Sequence, residues 1–325
     1  MPMGKSKKGV AIDGWVIIDK PVGIGSTPVV SKVKKSLNAQ KVGHAGTLDP
    51  FASGILPIAL GLGTKTIQFI QDAEKEYVFT LEFGKTTDTL DTEGIVTQTS
   101  DVIPTKQQIL DILPRFIGEI TQIPPAYSAI KIDGKRAYDL ARQGQDFDIP
   151  ERKVLIKDLQ FIEWESSKSA VFKVICGKGT YVRTLGADIA KSLGSVGYLT
   201  SLRRTRVGVY DLKNALTLAK FQEITHKYTE IDDLVLSIES SLDGIPVLTV
   251  ADKKVGKFQS GQSFGGSHLA EYANYDLLVI STTTHIYGFG RVVDGMLKPV
   301  RVFNKPVLKK ENWNVYYNRK KSWNC

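Results

Sequence analysis

Cysteine is scarce: Cys176 and the terminal Cys325 are the only two in 325 residues, too few for a disulfide framework or a multi-cysteine zinc site. Histidine is thin as well. His44, His226, His268 and His285 stand far apart, with no HxxxH or HxH spacing, so no metal site is expected. No apolar run approaches the roughly 20 residues that cross a bilayer, and the stretch from Gly54 to Leu62 is short and interrupted by Pro57. The basic start is followed by Asp13, Asp19 and Lys20 rather than by the uninterrupted apolar core of a secretory signal. Internal repeats and low-complexity segments are lacking. So is a nucleotide-binding glycine loop: Gly61-Leu-Gly-Thr-Lys-Thr66 lacks the adjacent Gly-Lys of a P-loop. These absences predict a cytoplasmic protein with no membrane segment and no structural metal.

The balance of what is present is globular. A chain with 42% hydrophobic and 24% charged residues can bury a core and is not of disordered composition. Its length suggests about two domains. Forty-three Lys+Arg against 34 Asp+Glu give a net charge of +9, which leans toward a polyanionic partner, most often nucleic acid; solvated surface lysines give the same balance.

Periodicity sets out the elements. Trp15 to Pro21 reads as a buried strand stopped by proline. Ser26-Thr27-Pro28 predicts a helix start with a hydroxyl cap; Val29, Val30, Val33 and Leu37 form its apolar stripe, and Lys32, Lys34 and Lys35 lie off it. Tyr77, Phe79, Leu81 and Phe83 alternate along a half-buried strand. Thr105 and Gln108 form a capping-box pattern before a helix that Pro114 ends or kinks. Strands are expected over 155–164 and 170–176, and a helix over 182–193 with Gly194 just past its end. The irregular mixture favours α+β over a doubly wound sheet. Turn formers near residue 240 mark a boundary, which predicts domains over 1–240 and 241–308, the second small and mostly β, followed by a basic, aromatic tail over 309–325. That tail is expected either to fray or to stack on bases.

Three segments could carry chemistry. Gly43-His-Ala-Gly-Thr-Leu-Asp-Pro50 places His44 and Asp49 in a polar loop; such an aspartate closes an Asx turn, caps a helix or does chemistry. Gly177-Lys-Gly-Thr-Tyr-Val-Arg183 puts a cation in the first turn of a helix, where the dipole favours anions; a carboxylate partner would remedy this, and a plain surface arginine is the alternative. Arg203, Arg204 and Arg206 suit phosphate contacts or a solvated turn.

From about Gly14 to Phe303 the chain resembles the TruB family of tRNA pseudouridine synthases. The resemblance rests on six motifs in order: Asp19-Lys-Pro-Val-Gly23, Gly43 to Pro57, Lys75-Glu-Tyr77 with Phe83 to Gly94, Pro124 to Tyr138, Gly177 to Arg183, and Leu202 to Gly208. It implies a mixed, largely antiparallel sheet in an α+β catalytic domain of pseudouridine synthase type, with a C-terminal PUA-like β module. It implies isomerisation of uridine 55 in the T stem-loop of tRNA, with no cofactor. Asp49 would be the nucleophile, Arg183 its counter-ion, and Tyr77 a ring against the target base. His44 would fill the space left by an extruded base, with Tyr181 and Leu202 as pocket walls. Lys20, Pro21 and Lys131 would support the site or touch RNA. Lys32, Lys35, Arg203, Arg204 and Arg206 would meet phosphates. A monomer needing no protein partner is expected. Two rivals remain: a non-catalytic RNA-binding or tRNA-folding protein on the same scaffold, and a carboxylate-pair glycoside hydrolase using Asp49 with Asp88 or Asp91.

Overall fold

The computed structural model describes residues 9–128, 130–132, 134–144, 147–227 and 232–308. The basic start and the aromatic tail over 309–325 lie outside them. The chain divides into two units, 1–234 and 235–325.

The first unit is built on one ten-stranded sheet. In chain order the unit's strands are β1 (Gly14–Lys20), β2 (Val42–His44), β3 (Ser53–Leu60), β4 (Lys75–Phe83), β5 (Lys85–Thr87), β6 (Val96–Thr99), β7 (Gly118–Gln122), β8 (Lys131–Ile132), β9 (Lys135–Arg136), β10 (Arg152–Trp164), β11 (Ser169–Cys176), β12 (Gly197–Val207), β13 (Tyr210–Asp211) and β14 (Leu216–Thr217). Its helices are α1 (Ser26–Ser36), α2 (Ile67–Asp72), α3 (Lys106–Ile112), α4 (Ala137–Arg142), α5 (Val182–Ser192) and α6 (Leu218–Lys227). The sheet runs β14-β1-β3-β12-β4-β11-β10-β7, with β13 beside β12 and β2 beside β3. Only the β1–β14 and β3–β12 pairings are parallel, so the sheet is mixed and largely antiparallel.

The alternating residues of β4 face a core that explains their spacing. Phe79 and Leu81 are fully buried, and Phe79 stacks on Phe172 of β11 with centroids 5.3 Å apart. Ile109 of α3 and Leu185 and Ile189 of α5 belong to the same cluster, and each such side chain contributes about 1.5–3 kcal/mol on burial. The Thr105–Gln108 capping box forms as expected, and Pro114 stands in the 3₁₀ turn that follows α3.

Two backbone positions shape the region where the site forms. Pro57 lies inside β3 with its carbonyl accepting from Ala45 N at 2.9 Å. Its missing N–H points to that same side, between the stretches of β3 that pair with β12 and with β2. That side faces away from β1, whose pairing with Pro57 loses no bond, and the β2–β3 pairing ends one residue short of it at His44–Ile58, which is why a proline is tolerated here. Gly54 has φ +105, and a Cβ there would fall 2.2 Å from the Arg204 carbonyl. Only glycine lets β3 approach β12 this closely.

The second unit pairs β15 (Val247–Thr249), β16 (Phe264–Gly265), β17 (Leu278–Ser281), β18 (His285–Val293) and β19 (Met296–Leu308) in the order β15-β17-β18-β19-β16. Helix α7 (Asp252–Gln259) contributes Val255 and Phe258 to a core with Leu278, Ile280 and Leu297. The expected small β module is this sheet.

Candidate active site

The loop between β2 and β3 carries Asp49 and is tied down from three directions. Ser26 was expected to cap α1, yet Gly25 occupies the cap position and no side chain caps the helix. The Ser26 hydroxyl instead accepts from Leu48 N at 2.8 Å and donates to Leu48 O at 2.9 Å. Lys20 Nζ donates to the carbonyls of Pro21 at 2.8 Å and Ile24 at 2.7 Å, and to Pro50 O at 3.4 Å. Arg204 donates to Ile55 O at 2.7 Å, Gly46 O at 3.1 Å and Thr47 O at 3.3 Å. Asp49 is thus presented from a loop held on both flanks. Ser26→Ala would leave a buried N–H unpaired, so a loss of about 1–3 kcal/mol is expected in urea denaturation; an unchanged midpoint would show that the clamp contributes nothing.

Arg204 corrects an expectation. Its side chain is 1% exposed and its donors are spent on the loop, so it cannot meet an RNA phosphate. The reason lies in β12, where strand alternation sends Leu202 and Arg204 into the core and leaves Arg203 to pair with Asp19 at 2.7 and 3.1 Å. Arg203 and Arg206 remain part-exposed, and Lys32 and Lys35 are exposed on α1.

Arg183 enters α5 directly after its N-cap residue, Tyr181, and Val182. Its side chain is 4% exposed and bridges two carboxylates: Nη2 meets Asp49 Oδ2 at 2.8 Å and Nη1 meets Asp91 Oδ2 at 3.1 Å. It also donates to Thr89 O at 2.8 Å and Tyr127 O at 2.9 Å. Two acids and two carbonyls offset the dipole's aversion to a cation at this end. Asp91 is itself buried; its Oδ1 accepts from Thr89 Oγ1 at 2.6 Å and from Glu93 N at 2.9 Å. Asp91 therefore fixes the guanidinium from behind, a role the sequence did not signal. The same placement removes the glycoside hydrolase reading: Asp91 lies behind Arg183, Asp88 accepts from Ile95 N at 2.9 Å, and neither lines the cavity that Asp49 lines.

That cavity has a volume of about 400 Å³, enough for one nucleoside. Asp49, Tyr77, Tyr181, Arg183 and Leu202 all line it. His44 ends β2 beside the loop, half-buried; Lys20 reaches the loop at Pro50 O, while exposed Pro21 only accepts from Lys20; none of the three lines the cavity. Lys131 falls on β8, its side chain outside the described ones.

Residues 34–182 match the N-terminal domain of the TruB family pseudouridylate synthases, and residues 183–243 match the tRNA pseudouridylate synthase B C-terminal domain. The chain belongs to the TruB family. It is 48% identical over 261 residues to the tRNA pseudouridine synthase B of Caulobacter vibrioides, covering 80% of this chain and 84% of that one. Identity to the Rhodospirillum rubrum protein of the same name is 40% over 308 residues, covering 93% and 100%. Among solved structures, a chain of a Cbf5–Nop10–Gar1 complex superposes with a TM-score of 0.64 at 25% identity, covering 91% of this chain and 84% of that one. A chain of an H/ACA RNP bound to a substrate RNA containing 2′-deoxyuridine has the same fold, with a TM-score of 0.66 at 22% identity over 96% and 93%.

In this TruB-family chain the groups around Asp49 are electrostatically strained by burial. Burial pushes the Tyr77 phenol above its ordinary value, opposed by the Arg204 charge. Burial also lowers the His44 imidazole, with the Gly46 backbone opposing and Arg204 adding to the shift; neutral at pH 7, that ring can stack without bringing in a charge. Lys20 is brought down to about 8 by burial, against the pull of Asp49. Lys75, which lines the cavity though sequence reading gave it no role, is likewise brought down to about 8 by burial, with Arg204 second. A lysine lowered on folding binds fewer protons folded than unfolded between about pH 8 and its ordinary value of 10.5, so its charged form costs stability below pH 8 and the cost is relieved above it. The melting temperature of the wild type minus that of Lys75→Met should therefore rise between pH 7.5 and 9.5. A flat difference would mean that Lys75 is not desolvated.

Among the described residues no cluster of His, Cys, Asp and Glu could hold a metal. No described helix is long and apolar enough to cross a membrane.

Proposed function

We propose that the protein is a tRNA pseudouridine synthase that isomerises uridine 55 in the T stem-loop, with Asp49 as nucleophile. The observation that carries this reading is the Asp49–Arg183 ion pair in the wall of a nucleoside-sized cavity. The pair engages Oδ2 of Asp49, and no described residue hydrogen-bonds Oδ1. A carboxylate oxygen is thus available to an electrophilic carbon of the nucleotide, C1′ or C6, while the guanidinium pairs with the other.

The reaction breaks the C–N glycosidic bond, turns the base, and joins its C5 to C1′; the proton leaves C5 and one returns to nitrogen. No electrons are exchanged and no group is gained, so the chemistry calls for no redox or group-carrying cofactor. A uridine stacked in a tRNA arm must be extruded to reach Asp49, at a cost of a few kcal/mol. Tyr77 stacks on the extruded base, Tyr181 and Leu202 bound it, and neutral His44 fills the vacated stack. Lys32, Lys35, Arg203 and Arg206 contribute phosphate contacts, so binding weakens as salt rises. The enzyme works as a cytoplasmic monomer without a protein partner.

Two tRNA transcripts tritiated at uridine C5 test the position, one intact and one with cytidine in place of uridine 55. The intact transcript should release one tritium more per molecule than the substituted one. Equal release would place the target elsewhere, and tight binding without release from either would favour the tRNA-folding alternative.

A further inference from the structure

The mouth of the cavity holds an acid where a polyanion's enzyme should not want one. Asp72, the last residue of α2, lines the cavity together with Lys178, and the two form an ion pair at 2.9 Å. Their side chains are 57% and 70% exposed, which places them at the rim rather than in the wall. An exposed pair of this kind contributes about 0–1 kcal/mol to stability. A carboxylate at the C-terminal end of a helix gains nothing from the dipole. Stability therefore does not explain why an acid faces the cavity of a chain whose net charge is +9.

The surroundings suggest a ligand of the opposite sign to the lysine. Lys178 stands between Gly177 and Gly179, and Gly179 has φ +81, so no side chain crowds the lysine on either side. A Cβ on Gly179 would stand 3.8 Å from Arg152 Nη1, and the Arg152 guanidinium lies 5.8 Å from the Tyr181 ring. Lys178 thus lines the opening engaged only by an exposed carboxylate, with the Arg152 guanidinium near Gly179 and Tyr181 of the same lining. A nucleotide that enters base-first toward Asp49 leaves its phosphodiester at this opening.

We propose that Lys178 binds a backbone phosphodiester of the RNA at the cavity mouth, and that Asp72 is its exchangeable counter-ion in the free enzyme. This rests on the reading of the protein as an RNA-modifying enzyme. The phosphate takes the place of Asp72, so the lysine exchanges one anion for another and is never left bare. Asp72 competes with substrate: it holds Lys178 over the opening, keeps it off stray anions, and recaptures it as product leaves.

Opposite signs for the two partners provide the test. Dissociation constants of an unmodified tRNA transcript are measured over a range of salt for the wild type, Lys178→Gln, Asp72→Asn and the double variant, with melting curves and wild-type tritium release in parallel. Lys178→Gln should weaken binding about 3–10-fold, and its log–log salt slope should be shallower by about 0.7–0.9, one phosphate contact. Asp72→Asn should tighten binding about 2–5-fold, and should do nothing once Lys178 is gone. Weakening by both single variants, or an unchanged salt slope for Lys178→Gln, would overturn the proposal and make the pair a strut. Absence of tritium release from the wild type would instead count against the enzymatic reading, while the binding series still reports on Lys178.

Discussion

Arg183→Ala should lose at least about 10³-fold in turnover and should also destabilise the protein. The guanidinium bridges Asp49 and the buried Asp91. Removing it leaves Asp91 a buried carboxylate without its cation, a change that costs about 3–5 kcal/mol in comparable cases. Arg183→Lys separates the two effects. A lysine restores one positive charge but, as a point charge, cannot reach two carboxylates and two carbonyls in a fixed plane. It should recover much of the lost stability and little of the turnover. Urea midpoints and single-turnover rates on tRNA read the two quantities separately. Near-normal turnover in Arg183→Ala would remove the guanidinium from the chemistry.

The parts of the fold set by local rules were legible in the sequence. The alternation from Tyr77 to Phe83 became β4, the Thr105–Gln108 box became the start of α3, and the Gly177–Arg183 segment became the turn into α5. The helix-start position of Arg183 called for some carboxylate or a surface placement, and it was the family resemblance that implied Asp49 as its partner. Side chains whose partners lie far along the chain were misread. Ser26 has the form of a cap, but its hydroxyl binds Leu48, 22 residues away. Arg204 sits in an arginine-rich run that looks like surface, but strand alternation buries it against loop carbonyls about 150 residues earlier. Asp91 looks like one of several loop acids, and only the arrangement of β12, α5 and the 88–94 segment sets it behind the guanidinium. No local pattern encodes such contacts, since each depends on which strands become neighbours.

The same anatomy predicts that Asp49 is separable from the fold. Its side chain is 37% exposed, and an amide of equal size leaves Arg183 still paired with Asp91. Asp49→Asn should therefore unfold within about 1 kcal/mol of the wild type, as a substitution of a part-exposed residue does, and should still bind tRNA. On the proposed role of Asp49 as nucleophile, what it loses is the attacking carboxylate oxygen, and with it the covalent step. Among the described residues no other carboxylate lines the cavity wall around Tyr77 and Leu202; Asp72 stands at the rim beside Lys178. A residual rate at least about 10⁴-fold below the wild type is expected.

Tritium release from C5-labelled tRNA, followed through a single turnover with enzyme in excess, tests this most directly. The wild type should release label and Asp49→Asn, folded and bound to the same transcript, should release none above background. Release by Asp49→Asn at a rate close to the wild type would contradict the account, because the bond-breaking group would then be something other than this carboxylate.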